Sequence, residues 1–136
     1  MRRTVALVVL ALSLASCGGG TAVTDVKIGD CFDDPDSEIV SALDVVDCSE
    51  AHDNEVYAEV FMSDSVFPGD AGVGEFAFDA CFDAFEPYVG QSYADSPLDY
   101  LYLGPTEESW DSGDRAVLCV LYSADLSKLT GSMRAG

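Results

Sequence analysis

Hydrophobic positions along this chain form a leading block, several short alternating runs and one helical stripe. The leading block is Val5 to Leu14, behind Arg2 and Arg3. The folded part begins at Asp25 to Phe32, where Val26 and Ile28 alternate with polar neighbours as on a short strand. Ile39 to Cys48 and Glu55 to Met62 are the next strands by the same pattern. In the second, alternation predicts Val56, Ala58 and Val60 on one face, with Tyr57, Glu59 and Phe61 on the other. Pro68-Gly69-Asp70 opens a helix with Asp70 as N-cap, and Pro87 with Gly90 ends it. Its apolar stripe is Ala77, Cys81, Ala84, Phe85 and Tyr88, widened by Phe78 and Phe82. Leu98 to Leu103 and Arg115 to Tyr122 are the last strands, and the second is so continuously apolar that it belongs at the centre of a sheet. Three strands, a helix and two strands predict an α+β fold, a small antiparallel sheet with one main helix packed on it.

The leading block is not part of that fold. About ten apolar residues are too few to span a hydrocarbon core, which takes roughly 20. Behind two arginines and ahead of Leu14-Ala15-Ser16-Cys17, they read as a lipoprotein signal peptide over residues 1–16. Cys17 is then the lipidated residue, and residues 17–25, with Gly18, Gly19 and Gly20, are a flexible tether. The domain follows over 26–123, with a small, polar C-terminal tail over 124–136. Two acyl chains, at about 0.8 kcal/mol per buried methylene, would hold the protein on the outer face of the cytoplasmic membrane.

Export changes the meaning of the other four cysteines. Cys31, Cys48, Cys81 and Cys119 are an even set in an oxidising compartment, as in a disulfide framework. Three connectivities are open to four cysteines. Cys81 on the inner stripe of the helix and Cys119 on the central strand favour Cys81–Cys119, leaving Cys31–Cys48. Without a Cys-x-x-Cys pair, a zinc site is disfavoured, and no metal or other cofactor is expected. Charge narrows the partners. Without Arg2 and Arg3 the chain carries 25 acidic residues against 4 basic ones, the wrong sign for nucleic acid.

Candidate chemistry is sparse. His52, the single histidine, lies among Glu50, Asp53 and Glu55 and is a candidate base or ligand, although pinning a turn is the commoner role. Asp33, Asp34, Asp36 and Glu38 suggest calcium but lack the EF-hand spacing, so a solvated acidic turn is the better reading. Trp110 with Tyr100 and Tyr102 offers an aromatic platform, and Arg115 offers a fork to a carboxylate such as Asp114 or Glu107, although a core plug for Trp110 and a structural ion pair for Arg115 are the commoner roles. The candidate binding patch is therefore His52, Tyr102, Trp110 and Arg115. No Gly-x-Ser-x-Gly elbow is present, and no residue is nominated as catalytic.

Gly29-Asp30-Cys31-Phe32 and the run from Asp47 through Cys48 and His52 to Tyr57 resemble the actinobacterial septum formation family of membrane-attached surface proteins. Pro105-Thr106-Glu107, Ser109-Trp110, Gly113-Asp114-Arg115 leading into Cys119, and Leu129-Thr130-Gly131-Ser132 extend the resemblance over roughly residues 26–134. The family usually has proline where this chain has Ala51. The resemblance implies a part in septum or envelope assembly and carries no enzymatic activity with it. The expectation is a non-enzymatic binding or scaffolding module whose partner is an envelope or division protein or a wall component. A wall-modifying hydrolase and a cation-binding surface protein are the alternatives. Replacing Cys17 with Ser should move the protein from the membrane fraction to the soluble fraction on cell fractionation. A Cys17→Ser protein that stays with membranes would show that the anchor lies elsewhere.

Overall fold

The computed structural model describes residues 19–37 and 40–136; the expected signal peptide, Cys17, Glu38 of the acidic run and Ile39 of the expected strand lie outside the described residues. In chain order the elements are β1 (Thr21–Ala22), β2 (Cys31–Phe32), β3 (Ala42–Leu43), β4 (Val45–Val46), β5 (Asn54–Phe61), α1 (Gly69–Val89), β6 (Leu98–Leu103), α2 (Glu107–Asp111) and β7 (Ala116–Ser123). Five strands form an antiparallel sheet in the order β4-β2-β5-β7-β6, and β1 pairs with β3 separately. The α+β architecture matches expectation. So do the disulfides, Cys31–Cys48 with Cα atoms 5.3 Å apart and Cys81–Cys119 with Cα atoms 5.4 Å apart.

β7 lies inside the sheet because it is apolar on both faces. Val117, Cys119 and Leu121 belong to the core beneath α1, whereas Leu118 and Val120 pack on the opposite face with Val26, Phe32 and Leu43. Two small cores thus lie on either side of β7. The bridge from Cys119 to Cys81 crosses the larger core and pins the helix to the strand.

Simple alternation fails in β5. Val56 pairs with Val120, but the next partner, Cys119, pairs with Ala58, so Tyr57 is an extra residue in a bulge. Val56 joins the core on the far face, while Tyr57 and Ala58 both join the core under α1. Val56 therefore does not share a face with Ala58 and Val60 as expected. The bulge also lets the Tyr57 hydroxyl donate to the Cys81 carbonyl at 2.6 Å, tying strand to helix beside the disulfide.

Pro68 occupies the N-cap of α1 without a side-chain hydrogen bond; Asp70 sits in the first turn, where its charge still favours the positive end of the helix. The helix continues through Pro87 into its final turn. Gly90 closes it in the left-handed region at φ 74°, with its N–H on the Glu86 carbonyl. Val73, Ala77, Cys81, Phe85 and Tyr88 form the buried line, whereas Phe78 and Phe82 point outward, contrary to their expected place in the stripe. Each follows a buried residue by one position, a rotation of about 100° from the core-facing line. At Gly74 an added Cβ would lie 2.9 Å from the Tyr102 hydroxyl, so the missing side chain is what allows β6 to approach.

The N-terminal region is less regular than its alternation suggests. A 3-10 turn occupies Val23–Asp25, Val26 is buried but Ile28 is exposed, and only Cys31–Phe32 joins the sheet. The run that ends at Cys48 breaks into β3 and β4 around Asp44. Conversely, α2 was not anticipated. Thr106 accepts from the Ser109 N–H while the Ser109 hydroxyl accepts from the Thr106 N–H, a reciprocal cap that stabilises this short helix. Residues 124–136 hold no long element but are hydrogen-bonded to the domain: Leu129 bridges to His52, Gly131 donates to Cys48 and Ala135 donates to Tyr88.

Loop-closure entropy orders the two disulfides. A closed loop of 38 residues is worth about 4 kcal/mol and one of 17 about 3 kcal/mol. In denaturant titrations, Cys81→Ser/Cys119→Ser should lose more stability than Cys31→Ser/Cys48→Ser. The reverse order would mean that the second bridge strains the core it crosses.

Candidate functional site

His52 is fully buried where the chain enters β5. Its backbone exchanges two hydrogen bonds with Leu129, and its Nδ1–H donates to the Glu50 carbonyl at 2.8 Å. The carbonyl can only accept, so the hydrogen of this bond lies on Nδ1. Nearby, the buried Glu55 carboxylate accepts from the Tyr88 hydroxyl at 2.7 Å, the Ser132 hydroxyl at 2.6 Å and the Met133 N–H at 2.7 Å. Three donors offset the desolvation of a carboxylate that would otherwise be too costly to bury. Tyr88 has its pKa raised by burial first and by the Glu55 hydrogen bond second. Ligand atoms of Cys31, His52 and Glu55 lie within 4.8 Å of one another, but the Cys31 sulfur is bonded to Cys48 and offers no thiolate. The arrangement clamps the C-terminal segment. It does not expose a base to solvent.

Trp110 is a buried plug, with its indole against Phe67 at 5.6 Å. Arg115 stacks on it, the guanidinium carbon 3.7 Å from the ring centroid, while Nη1 donates to the carbonyls of Trp110 and Asp114 at 2.8 and 2.7 Å. The fork is therefore spent on backbone oxygens in place of the expected carboxylate. Of the four nominated patch residues, Trp110 and Arg115 are brought together, Tyr102 stands exposed on β6, and His52 lies in the separate buried clamp. They form no common surface. The physical reason is size: in a small domain, an indole and an imidazole contribute more by filling and pinning than by facing water.

The acidic turn holds an internal cation. Lys128 Nζ lies 2.6 Å from Asp33 Oδ1 and 2.8 Å from Asp53 Oδ2, and the Asp34 N–H donates to Asp53. Lys128, and then the Asp34 N–H, hold Asp53 below the ordinary carboxylate range. Asp125 is held at about 2 chiefly by the hydroxyls of Ser127 and Ser123. The ammonium takes the central position that a hard cation would need among these carboxylates.

One concavity lies on the sheet face that carries Leu118 and Phe61. A cleft of ≈ 460 Å³ runs between the N-terminal turn and the sheet, with Val23, Val40, Phe61, Tyr102 and Leu118 among its walls. Glu59 and Asp114 bring carboxylates to it. Phe61, 63 % exposed, is far more open than a phenylalanine serving only the core. Such a cleft, apolar in its floor and acidic at its edges, can hold a ligand or a partner side chain.

Fold and site together define a disulfide-stapled α+β domain with buried polar clamps and an open apolar cleft. The chain belongs to the septum formation family, whose model matches residues 28–135. It is 34% identical over 115 residues to proteins named "Putative lipoprotein LppN" in Mycobacterium tuberculosis and in Mycobacterium bovis, an alignment covering 81% of this chain and 63% of each relative. This chain thus spans less than two thirds of the length of those relatives. No solved structure matches it. No helix among the described residues is long and apolar enough to cross a membrane.

Sequence reasoning passed over Glu55, Tyr88 and Ser132, whose roles depend on a tail folding back over β5. It also passed over Phe61 as a cleft wall, because alternation does not tell which face of a strand is covered. The Lys128 cluster has a defined pH signature. Asp53 titrates below its unfolded value, so its contribution is complete above the ordinary carboxylate pKa and is lost as pH falls through the folded one. Lys128 titrates above its ordinary value, so its contribution is lost only as pH rises through that raised value. Lys128→Ala should lower the melting temperature slightly at pH 7 in low salt and leave it unchanged at pH 2 or in high salt. An equal loss at both pH values would assign the effect to packing.

Proposed function

We propose that this chain is an extracytoplasmic lipoprotein that acts as a non-enzymatic binding or scaffolding module in septum formation or envelope assembly. The family and the mycobacterial relatives support the compartment and the process. The carrying observation is the open cleft between the N-terminal turn and the sheet, lined by exposed Phe61 and Tyr102. Of the groups best suited to chemistry, Glu55 is bonded to Ser132 and Met133 of the C-terminal segment, and His52 is fully buried with its Nδ1 on the Glu50 carbonyl.

The cleft also has a definite relation to the anchor. Val23 and Thr24 line it, only six residues after Cys17. Extended chain covers at most ~3.6 Å per residue, so the cleft edge stays within ~22 Å of the lipidated cysteine. A partner held there is an envelope or division protein, or a wall component, that itself reaches the outer face of the cytoplasmic membrane. A photo-cross-linking residue at position 61 should capture such a partner in dividing cells, and Val23→Asp, in the N-terminal turn that lines the same cleft, should diminish the adduct. Absence of any adduct other than lipid from position 61 would remove the binding-module reading.

A further inference from the structure

We infer that a second surface, the aromatic groove between α1 and the free edge of β6, receives a segment of a partner protein in which Arg or Lys side chains flank apolar ones. The inference rests on the binding-module reading and names the chemistry of a partner. Phe78 and Phe82 are one helical turn apart on the outer flank of α1 and remain 62 % and 49 % exposed. Phe78 leans on Tyr100 at 6.0 Å between centroids, and Phe82 on Tyr93 at 5.8 Å. These rings, with Leu101 and Tyr102, line a groove of ≈ 620 Å³. Packing of α1 on the sheet uses the line through Ala77, Cys81 and Phe85, so the two phenylalanines extend an apolar surface beyond what the core requires.

The groove's polar residues decide among occupants. Asp79 and Asp99 lie in its lining, which contains no Lys or Arg, and Asp83 lies beside Phe82 in the adjoining hollow. A second copy of this chain, with 25 acidic against 6 basic residues, would set like charges against these carboxylates. Anionic wall polymers and anionic lipid meet the same obstacle. A guanidinium or ammonium meets both a ring face and a carboxylate, the setting in which a cation on an aromatic surface is favoured. The fold already uses this contact twice, with Arg115 over Trp110 at 3.7 Å and Arg134 over Tyr88 at 4.9 Å.

The backbone edge makes docking by side chains more favourable than strand addition. β6 pairs only with β7, so its other side is free. Yet the Tyr100 N–H donates to Asp99 Oδ1 at 2.8 Å and the Leu98 N–H to Ser96 Oγ at 3.1 Å, so two amides along that strand already have side-chain acceptors. An added strand would have to displace both.

The test uses the full chain in detergent micelles, titrated calorimetrically with a synthetic Arg/Leu peptide, a Glu/Leu peptide, an Arg/Ser peptide and muropeptide fragments of the wall. The Arg/Leu peptide should bind, the Glu/Leu peptide should not, and Phe78→Ser/Phe82→Ser should weaken Arg/Leu binding by about tenfold or more. Asp79→Lys, at an exposed position, should weaken it as well while leaving the circular dichroism unchanged. Equal binding by the phenylalanine double variant, or Arg/Ser binding as tightly as Arg/Leu, would reduce the effect to bulk acidity and overturn the inference. So would displacement of the peptide by muropeptides, or a dimer in sedimentation that the double variant dissolves. Cross-linking from position 61 is independent of this groove, so an adduct there alongside a failed titration would remove the inference and leave the module reading standing.

Discussion

The covalent contact between Cys81 and Cys119 is the constraint on which the remaining structure depends. It joins the middle of the helix to the middle of the sheet, and both larger-core elements are arranged about it. Tyr57 reaches the Cys81 carbonyl from the bulged strand, and Phe85 follows one turn later on the same helix face. A domain this small buries too little apolar surface for packing alone to give a wide margin of stability. The bridge shifts the balance by removing conformations from the unfolded chain, and it can persist only where the compartment is oxidising.

With that centre fixed, the rest of the molecule is secured by polar clamps. Glu55, buried and saturated by three donors, holds residues 132 and 133 against β5. His52 performs the corresponding task for Leu129, and Lys128 gathers two aspartates of the acidic turn. Glu55 and Lys128 thus use their side chains to fasten an otherwise irregular C-terminal segment, while His52 does so through its backbone and its imidazole bonds the Glu50 carbonyl. This leaves the surface to two apolar features, the cleft beside the N-terminal turn and the groove beside β6, both bordered by carboxylates.

The relation between pattern and structure differs by element. The helix and the two long strands β5 and β7 were legible because each has enough residues for its period to show. The two-residue strands β1 to β4 were not, since they exist only through pairing with β5 and with one another. The bulge at Tyr57 also escaped, because a local shift of register is decided by what the partner strand and helix offer. Trp110 reads as a platform or as a core plug in the sequence, and the stacking of Arg115 on it appears only once α2 and β7 are folded together.

By itself the chain determined the fold class, the even set of cysteines and the family, because period, cysteine number and motif spacing are properties of linear order, whereas the pairing it favoured among three was settled by the fold. Only the tertiary structure decided which chemistry-bearing side chains meet water. Burial depends on what another segment covers, and the covering segments here are distant in sequence: the C-terminal residues over His52 and Glu55, the N-terminal turn beside Phe61. Phe78 and Phe82 make the same point in reverse. They belong to a helical stripe by composition and to the solvent by about 100° of rotation, a distinction that appears only when the helix has a sheet to lie against.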